Sequence, residues 1–202
     1  VNNRRIMKMK TIAIALMALC TLGATAQQRL LGGDLSMLPM YEAAGTVYRD
    51  AKGKPVDALN LFRKEGWNAV RLRLFVDPDK APAENKDEGV CQDLNYVMGF
   101  GKRIKDEGFR LMLDFHYSDT WADPGKQFIP SAWKGASAEA LADSVYQYTR
   151  RSLEAMKRAG AEPDLIQVGN EISFGMLWPM AKTLPTEDAN WPAFLTMLKQ
   201  GC

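Results

Sequence analysis

An amide and a carboxylate stand side by side where a short apolar segment of the sequence ends. The segment covers residues 165–169, and Asn170 and Glu171 follow it directly. Buried parallel strands read as near-continuous apolar runs, and in barrel and doubly wound folds the polar residues at their carboxyl ends face the ligand crevice. A carboxyl group in that position can donate or accept a proton, so this segment predicts acid–base chemistry at a strand end.

Charged side chains also mark two earlier apolar segments. Arg71 and Arg73 are two residues apart and so share one face of a predicted strand, and the next strand ends in Asp114 and His116. If the strands are parallel, these groups meet Glu171 on one rim. Burying such groups without mutual pairing is costly, so we expect a polar network around a ligand.

The segments that must position these residues alternate between helix and strand patterns. Each of four amphipathic segments stops at a glycine, which is the residue that most often closes a helix C-terminus. The predicted helices cover 57–65, 93–107, 137–159 and 190–200, and the predicted strands cover 29–33, 68–76, 109–116 and 164–169. Long loops at 77–92 and 117–136 suit a substrate cleft better than a minimal scaffold.

This order predicts an α/β fold with four βα units and a barrel-like period. A closed barrel of eight units typically takes about 250 residues. We therefore expect residues 27–202 to be the N-terminal half of a larger barrel. The alternative is a complete small α/β domain with an open four-stranded sheet.

The first 26 residues have the pattern of a secretory signal. Four basic side chains between positions 4 and 10 precede an apolar stretch at 11–22, and small residues lead up to Ala26. Cleavage after Ala26 predicts a secreted or periplasmic product. The apolar stretch is short for a membrane span, so we expect no membrane association after cleavage.

Charge and motif content exclude several other classes. Of the 26 Lys and Arg side chains, four lie in the signal, so 22 remain against 24 Asp and Glu. That balance of −2 gives no electrostatic footprint for nucleic acid. The sequence contains no nucleophile elbow, no phosphate-binding loop and no dinucleotide fingerprint beyond the isolated glycines Gly32 and Gly33.

Cysteine and histidine usage bounds the metal and disulfide chemistry. Only Cys91 and Cys202 lie beyond the signal, which argues against a disulfide framework. His116 is the single histidine of the chain and lacks companion ligands at any usual zinc spacing. We therefore expect no metal and no cofactor in this chain.

Five short stretches carry a resemblance to a known family. They are Gly33–Ser36, Val70–Arg73, Leu113–Gln127, Gln167–Glu171 and Gly175–Pro179. Together they resemble glycoside hydrolase family 53, the arabinogalactan endo-β-1,4-galactanases, which are built on a TIM (β/α)8 barrel. The likeness runs from about Leu31 to Gly201. The fifteen-residue stretch from Leu113 is its most specific part.

The resemblance implies retaining hydrolysis of β-1,4-galactan or arabinogalactan by two glutamates, on strands four and seven. Glu171 matches the general acid/base, and Asn170 matches the residue that hydrogen-bonds the 2-hydroxyl of the cleaved sugar. Arg71 matches the arginine that orients the nucleophile in related barrels. The nucleophile, and the calcium site that some members build in their last loops, would lie beyond Cys202. The chain alone is therefore expected to be inactive.

Further residues are predicted to contact the sugar. Asp114 and His116 are expected to shape the sugar site by hydrogen bonding. Asp119 and Asp123 either bind sugar hydroxyls or cap turns, as aspartate does before Pro-Gly. The rim tryptophans are expected to stack on pyranose rings, whereas the two at element boundaries are expected to pack in the core. The rim set is Trp121, Trp133 and Trp178, and the packing set is Trp67 and Trp191.

Glu171 also has an ordinary interpretation as an ion-pair partner of Arg71 or Arg73. A general acid holds its proton near neutrality only where burial or negative charge favours the neutral form, and the mouth of an apolar strand predicts such burial for Glu171. Two further functions stay open beside the galactanase. One is hydrolysis of another plant β-glycan by a clan relative, and the other is a non-catalytic half-barrel that only binds sugar.

Overall fold

The computed structural model describes residues 29–184 and 190–202. Residues Leu31–Cys202 form one compact unit. The predicted signal at 1–26 lies outside the described residues. Across the two described ranges, no helix combines the length and the apolar character needed to cross a bilayer.

Four parallel strands form the central sheet, in the order β1-β2-β3-β4. Their bounds are Gly32–Asp34, Ala69–Leu74, Arg110–Phe115 and Leu165–Val168. The predicted strand segments are confirmed, and the first strand extends one residue beyond its predicted end. The register pairs Asp34 with Arg71, and Arg73 with Asp114. Polar residues near the carboxyl ends of neighbouring strands therefore lie side by side.

Six helices accompany the strands in the described residues. They are α1 Leu38–Ala43, α2 Ala58–Lys64, α3 Ala83–Asp87, α4 Leu94–Asp106, α5 Ala138–Arg158 and α6 Trp191–Gly201. The four predicted helices correspond to α2, α4, α5 and α6. Helix α3 lies inside the predicted loop 77–92, and no element was predicted for α1 or for a short antiparallel hairpin of β5 Gly175–Met176 and β6 Ala181–Lys182.

Side chains just before three helices account for where those helices begin. The carboxylates of Asp57 and Asp93 and the hydroxyl of Ser137 each accept a backbone N–H from the first turn of α2, α4 and α5. Such caps satisfy amide groups that have no partner inside the helix. These local bonds agree with the predicted helix starts to within one residue.

Glycine ends three of these helices as predicted, but not the fourth. Gly66, Gly108 and Gly160 have φ angles of +95°, +79° and +72°, the left-handed conformation that glycine adopts without steric cost. Gly201 was expected to follow the last helix and is instead its final residue. A Cβ atom there would lie 2.3 Å from Cγ1 of Val168, so this glycine permits close helix–strand packing.

The core lies between the sheet and its helices. The predicted stripe on α5, formed by Leu141, Val145, Tyr148, Ser152 and Met156, is buried throughout. It packs in one hydrophobic cluster with buried side chains of β2, β3 and α4. Burial by this cluster is what holds the strand ends in register.

Strand β4 departs from the expectation of a buried apolar strand. Ile166 on this strand is 42% exposed. Among the described residues β4 pairs only with β3, so its other edge has no strand beside it. The predicted apolar run is therefore an outer strand of the described sheet.

Replacing glycine by alanine is expected to change the free energy of unfolding in opposite directions at two positions. At Gly32 in β1 a Cβ would lie 1.8 Å from the carbonyl oxygen of Ala69, so Gly32→Ala must displace β1. At the exposed Gly99 of α4 nothing lies within 4 Å. We expect Gly32→Ala to lower the free energy of unfolding by about 1–3 kcal/mol. Gly99→Ala should raise it by about 1 kcal/mol, since alanine favours helix.

Urea unfolding followed by circular dichroism measures both effects. The Gly99→Ala variant is the matched control because it adds the same methyl group to the same chain. Equal stability of the Gly32→Ala variant and the parent chain would contradict the close β1–β2 packing.

Candidate active site

The guanidinium of Arg71 on β2 joins residues from all four parallel strands. Its Nη1 lies 2.6 Å from Asp34 Oδ2 at the end of β1. Its Nη2 donates to the buried carboxylate of Asp114 on β3 and, at 2.8 Å, to Asn170 Oδ1 just after β4. Its Nε donates to Gln167 Oε1 at 3.3 Å. The predicted polar network therefore exists, and Arg71 is at its centre.

Arg73 forms a second layer of the same network. Its Nη2 lies 2.9 Å from Asp34 Oδ1, so Asp34 bridges the two arginines. Its guanidinium carbon also lies 4.4 Å above the ring centroid of Trp121, a cation–π contact. Arg73 therefore fixes the rim tryptophan that follows β3.

The charges around Asp34 change its acidity. Burial raises the pKa of Asp34, but the Arg73 guanidinium, the Ser36 N–H and the Arg71 guanidinium together outweigh burial. The pKa of Asp34 is consequently held below its ordinary value. This carboxylate stays ionised and serves as the fixed counter-ion of the arginine pair.

Asp114 and His116 lie beneath the rim, almost fully buried. His116 Nδ1 accepts the N–H of Ala122 at 3.1 Å, which assigns the proton of the neutral ring to Nε2. That Nε2 lies 3.1 Å from Asp114 Oδ2, without the alignment of a hydrogen bond. The described residues offer no hydrogen-bond partner to Asp114 Oδ1, His116 Nε2 or Arg73 Nε. Buried polar atoms of this kind normally bind water or a ligand.

Asn170 is held on both sides. Besides accepting from Arg71, its Nδ2 donates to the carbonyl oxygen of Ala122 at 2.6 Å. The side-chain amide of Gln127 donates to the Asn170 carbonyl oxygen at 2.8 Å. Strand β2, through Arg71, and the loop after β3, through Ala122, thus fix the orientation of the Asn170 side-chain amide, and Gln127 of the same loop fixes its backbone.

Glu171, in contrast, is free. It has a φ of +48° and an exposed side chain, and the described residues give its carboxylate no hydrogen bond or ion pair. The expectation that the strand end would bury this side chain is wrong, because the left-handed turn directs the chain away from the edge of β4. The ordinary interpretation as a partner of Arg71 or Arg73 finds no contact either, since both guanidinium groups are engaged with Asp34.

A cleft of about 480 Å³ collects these groups. Of the eight predicted site residues, five line it and Asp114 lies just beneath it. The lining residues are Arg71, Arg73, Glu88, His116, Trp121, Ala122, Asp123, Lys126, Asn170 and Glu171. The cleft therefore joins an unpaired carboxylate to a rigid network of cations and amides.

Asp119 and Trp178 lie elsewhere, in a neighbouring hollow. Asp119 is buried, and its two oxygens accept the backbone N–H groups of Asp77, at 3.1 Å, and Ser131, at 2.7 Å. Trp178 donates its indole N–H to the Phe174 carbonyl at 3.0 Å. Neither side chain reaches the cleft of Glu171.

The remaining predicted contacts divide between turn and core. Asp123 caps a turn, accepting the N–H of Gly125 at 2.7 Å, and also lines the cleft. Trp133 packs edge-on against Tyr148, and Trp67 stacks on Phe62. Trp67 is thus the packing residue that was predicted.

Sequence reasoning missed four members of the site. Asp34 and Gln167 bind Arg71, and Glu88 and Lys126 line the cleft. The signal for Asp34 was a polar residue directly after a strand, the same signal that identified Asp114. Glu88 follows the short helix α3 inside a predicted loop, and no pattern marked it.

A parallel βα sheet with its polar groups gathered at the carboxyl ends of the strands defines a class, the barrel enzymes and their relatives. The family model of glycosyl hydrolase family 53 matches residues 30–202. The chain belongs to this family. Its fold is the TIM-barrel fold of the family, represented by four βα units.

Relatives and solved structures agree with this assignment. The chain is 39% identical over 172 residues to an arabinogalactan endo-beta-1,4-galactanase of Cellvibrio japonicus, covering 85% of the chain and 43% of that protein. It is 36% identical over 144 residues to an endo-beta-1,4-galactanase of Bacillus subtilis, covering 71% and 33%. The Ignisphaera aggregans GH53 catalytic domain superposes with a TM-score of 0.75 at 36% identity, covering 85% and 46%. The chain spans less than half the length of these relatives.

The acidity of Asp34 predicts a pH-dependent stability. Its folded-state pKa lies below the unfolded value of about 3.9, so its contribution is complete above that value. The contribution is lost as pH falls through the folded-state pKa. We expect the Asp34→Asn variant to lose less free energy of unfolding than the parent between about pH 4 and pH 2.

Urea unfolding at a series of pH values measures this difference. Asp143→Asn, which removes an exposed carboxylate from α5, is the matched control and should keep the parent's pH profile. Parallel profiles for the parent and the Asp34→Asn variant would contradict the counter-ion role of Asp34.

Proposed function

We propose that this protein supplies the acid/base half of an active site. That site cleaves internal linkages of β-1,4-galactan with retention of configuration. One observation carries the proposal: the Glu171 carboxylate lies in a cleft with no partner among the described residues, beside an Asn170 amide that is hydrogen-bonded to Arg71. The family relatives named as endo-beta-1,4-galactanases favour galactan as the substrate. The predicted signal at 1–26 adds the proposal of a secreted or periplasmic protein.

Glu171 has the chemistry that the leaving group requires. A glycosidic oxygen leaves poorly, so a carboxylic acid must protonate it as the bond breaks. The same carboxylate then removes a proton from the water that releases the product. A side chain without a partner among the described residues is available for both transfers.

Asn170 is suited to hold the sugar in register. Its amide nitrogen carries two hydrogens, and one is used by the Ala122 carbonyl. The second is available to a sugar hydroxyl, and the family resemblance makes that hydroxyl the 2-OH. Arg71 prevents the amide from rotating, which keeps this donor aimed at the ligand.

The buried pair beneath the rim is suited to other hydroxyl groups. Asp114 Oδ1 accepts and His116 Nε2–H donates, and both lack a hydrogen-bond partner among the described residues. Trp121 offers an indole face to the pyranose ring, while Arg73 occupies the opposite face. These groups would select a sugar by hydroxyl pattern and by its apolar face.

Retention needs a second carboxyl group about 5 Å from the acid. The other carboxylates of the cleft have other partners: Asp123 pairs with Lys126 at 2.8 Å, and Glu88 accepts from Asn85 at 3.2 Å. We assign the nucleophile to neither of them. The family resemblance assigns it to strand seven, which is not among the four strands of this sheet.

The 202-residue chain should therefore release no new reducing ends from β-1,4-galactan. Incubation with the polysaccharide and a reducing-sugar assay tests this, with an active family relative as the positive control. Turnover that is abolished by Glu171→Gln would contradict the two-carboxyl arrangement.

A chimera tests the acid role directly. Residues 30–202 replace the matching segment of the Cellvibrio japonicus relative, which supplies the remaining strands. We expect the chimera to cleave β-1,4-galactan, and Glu171→Gln to reduce kcat/KM on it by about 10²–10⁴-fold. On an aryl β-1,4-galactobioside, whose leaving group needs little protonation, the same substitution should reduce kcat/KM much less.

Glu154→Gln is the matched control, because it makes the same change at an exposed position of α5 and should keep full activity. Equal losses on galactan and on the aryl substrate would exclude Glu171 as the acid. Faster cleavage of β-1,4-glucan or β-1,4-mannan than of galactan would favour another plant β-glycan as substrate. Sugar binding without cleavage would favour the non-catalytic half-barrel.

A further inference from the structure

A second hollow of about 390 Å³ lies beside the cleft of Glu171 and shares no lining residue with it. Loops that follow β2, β3 and β4 all contribute to its wall. Its lining includes Lys80, Asp119, Phe128, Ser131, Lys134 and Trp178. Its size is that of a small-molecule site.

Backbone contacts between loops hold this wall in place. Phe128 and Trp178 form a parallel β-bridge, and the Trp178 N–H donates to the Gln127 carbonyl at 2.7 Å. Asp119 joins the loop after β2 to the segment at Ser131 through its two oxygens. The hollow is therefore held by contacts between separate loops, and does not depend on one loose loop.

The hollow presents aromatic surface to solvent. Phe128 is 54% exposed, although such rings are usually buried. The parallel bridge brings Phe128 next to Trp178, and Lys182 lies 4.2 Å over the Trp178 ring. Flat apolar surface beside polar groups is what the C–H face of a pyranose ring requires.

The free charge of the hollow is cationic. Lys80 and Lys134 line it, and neither has an ion-pair partner among the described residues. Asp119 is the carboxylate of the lining, and both of its oxygens already accept backbone N–H groups. The cleft of Glu171 differs, since its wall contains Glu88 and also Glu171, whose carboxylate has no partner among the described residues.

We propose that this hollow is an accessory site for a uronic acid residue of an acidic glycan. Its ring lies against Phe128 and Trp178, and its carboxylate pairs with Lys80 and Lys134. A neutral sugar would use the aromatic surface and leave both ammonium groups without a partner. The inference is independent of the proposed hydrolysis, because no group of the catalytic cleft takes part.

Calorimetric titration of the 202-residue chain with trigalacturonate tests the site, and galactotriose is the neutral probe of matched length. We expect trigalacturonate to bind at least about tenfold more tightly than galactotriose. The Lys80→Gln/Lys134→Gln double variant should weaken trigalacturonate binding by about tenfold, the sum of two exposed ion pairs. Phe128→Ala should weaken it as well. In a ¹H–¹⁵N spectrum the Trp178 indole signal should shift on binding.

The Lys52→Gln/Lys64→Gln double variant is the matched control, since it removes two exposed charges elsewhere. It should bind trigalacturonate as tightly as the parent does. The Glu171→Gln variant should also bind as tightly, because Glu171 is no part of this hollow, and this result separates the accessory site from the proposed hydrolysis. An equal loss of trigalacturonate affinity in the two double-lysine variants would overturn the proposal. Equal affinity of the parent chain for galactotriose and trigalacturonate would overturn it as well. If equimolar inorganic phosphate displaces trigalacturonate and the Phe128→Ala variant binds it as tightly as the parent, the hollow binds anions in general and the proposal is wrong. The ¹H–¹⁵N spectrum of each variant verifies its fold.

Discussion

One guanidinium organises the carboxyl edge of the sheet. Arg71 reaches Asp34 at the end of β1, Asp114 near the end of β3 and Asn170 after β4. The Asp114 side chain is 0% exposed, and its carboxylate pairs with this cation inside the protein. Arginine suits the task because its planar fork is always charged and carries five donors in fixed directions. The network around it is built from the protein's own side chains, which hold one another in place as a preorganised binding site requires.

The same network explains why two adjacent residues behave differently. Asn170 is tied to Arg71 and Ala122, whereas Glu171 turns out of the strand with a φ of +48°. A left-handed residue other than glycine costs about 1–3 kcal/mol and persists only where its surroundings enforce it. Tyr117, just after β3, has the same conformation at +49°. Both turns follow the carboxyl ends of strands, but the Tyr117 side chain is buried whereas that of Glu171 is exposed.

Local chemistry made much of this fold predictable. Helix caps at Asp57, Asp93 and Ser137 depend only on neighbours in sequence, and so do the glycines at 66, 108 and 160. Gly201 looked the same but serves packing against Val168, which sequence spacing does not encode. The exposure of Glu171 and the pairing of Asp34 also depend on tertiary geometry. Strand register places Asp34 beside Arg71, and the turn after β4 leaves Glu171 exposed.

In the loop after β3, closeness in sequence does not predict which residues share a site. Trp121 and Asp119 are two residues apart and were expected in one site, yet they line different cavities. Trp121 is held under Arg73, on the side where Asp123 and Glu171 line the cleft. Asp119 is bound to Asp77 and Ser131 on the other side, where the unpaired groups are lysines. Because each side chain is bound to a different partner, one loop contributes to both the cleft that contains Glu171 and the hollow that contains Lys80 and Lys134.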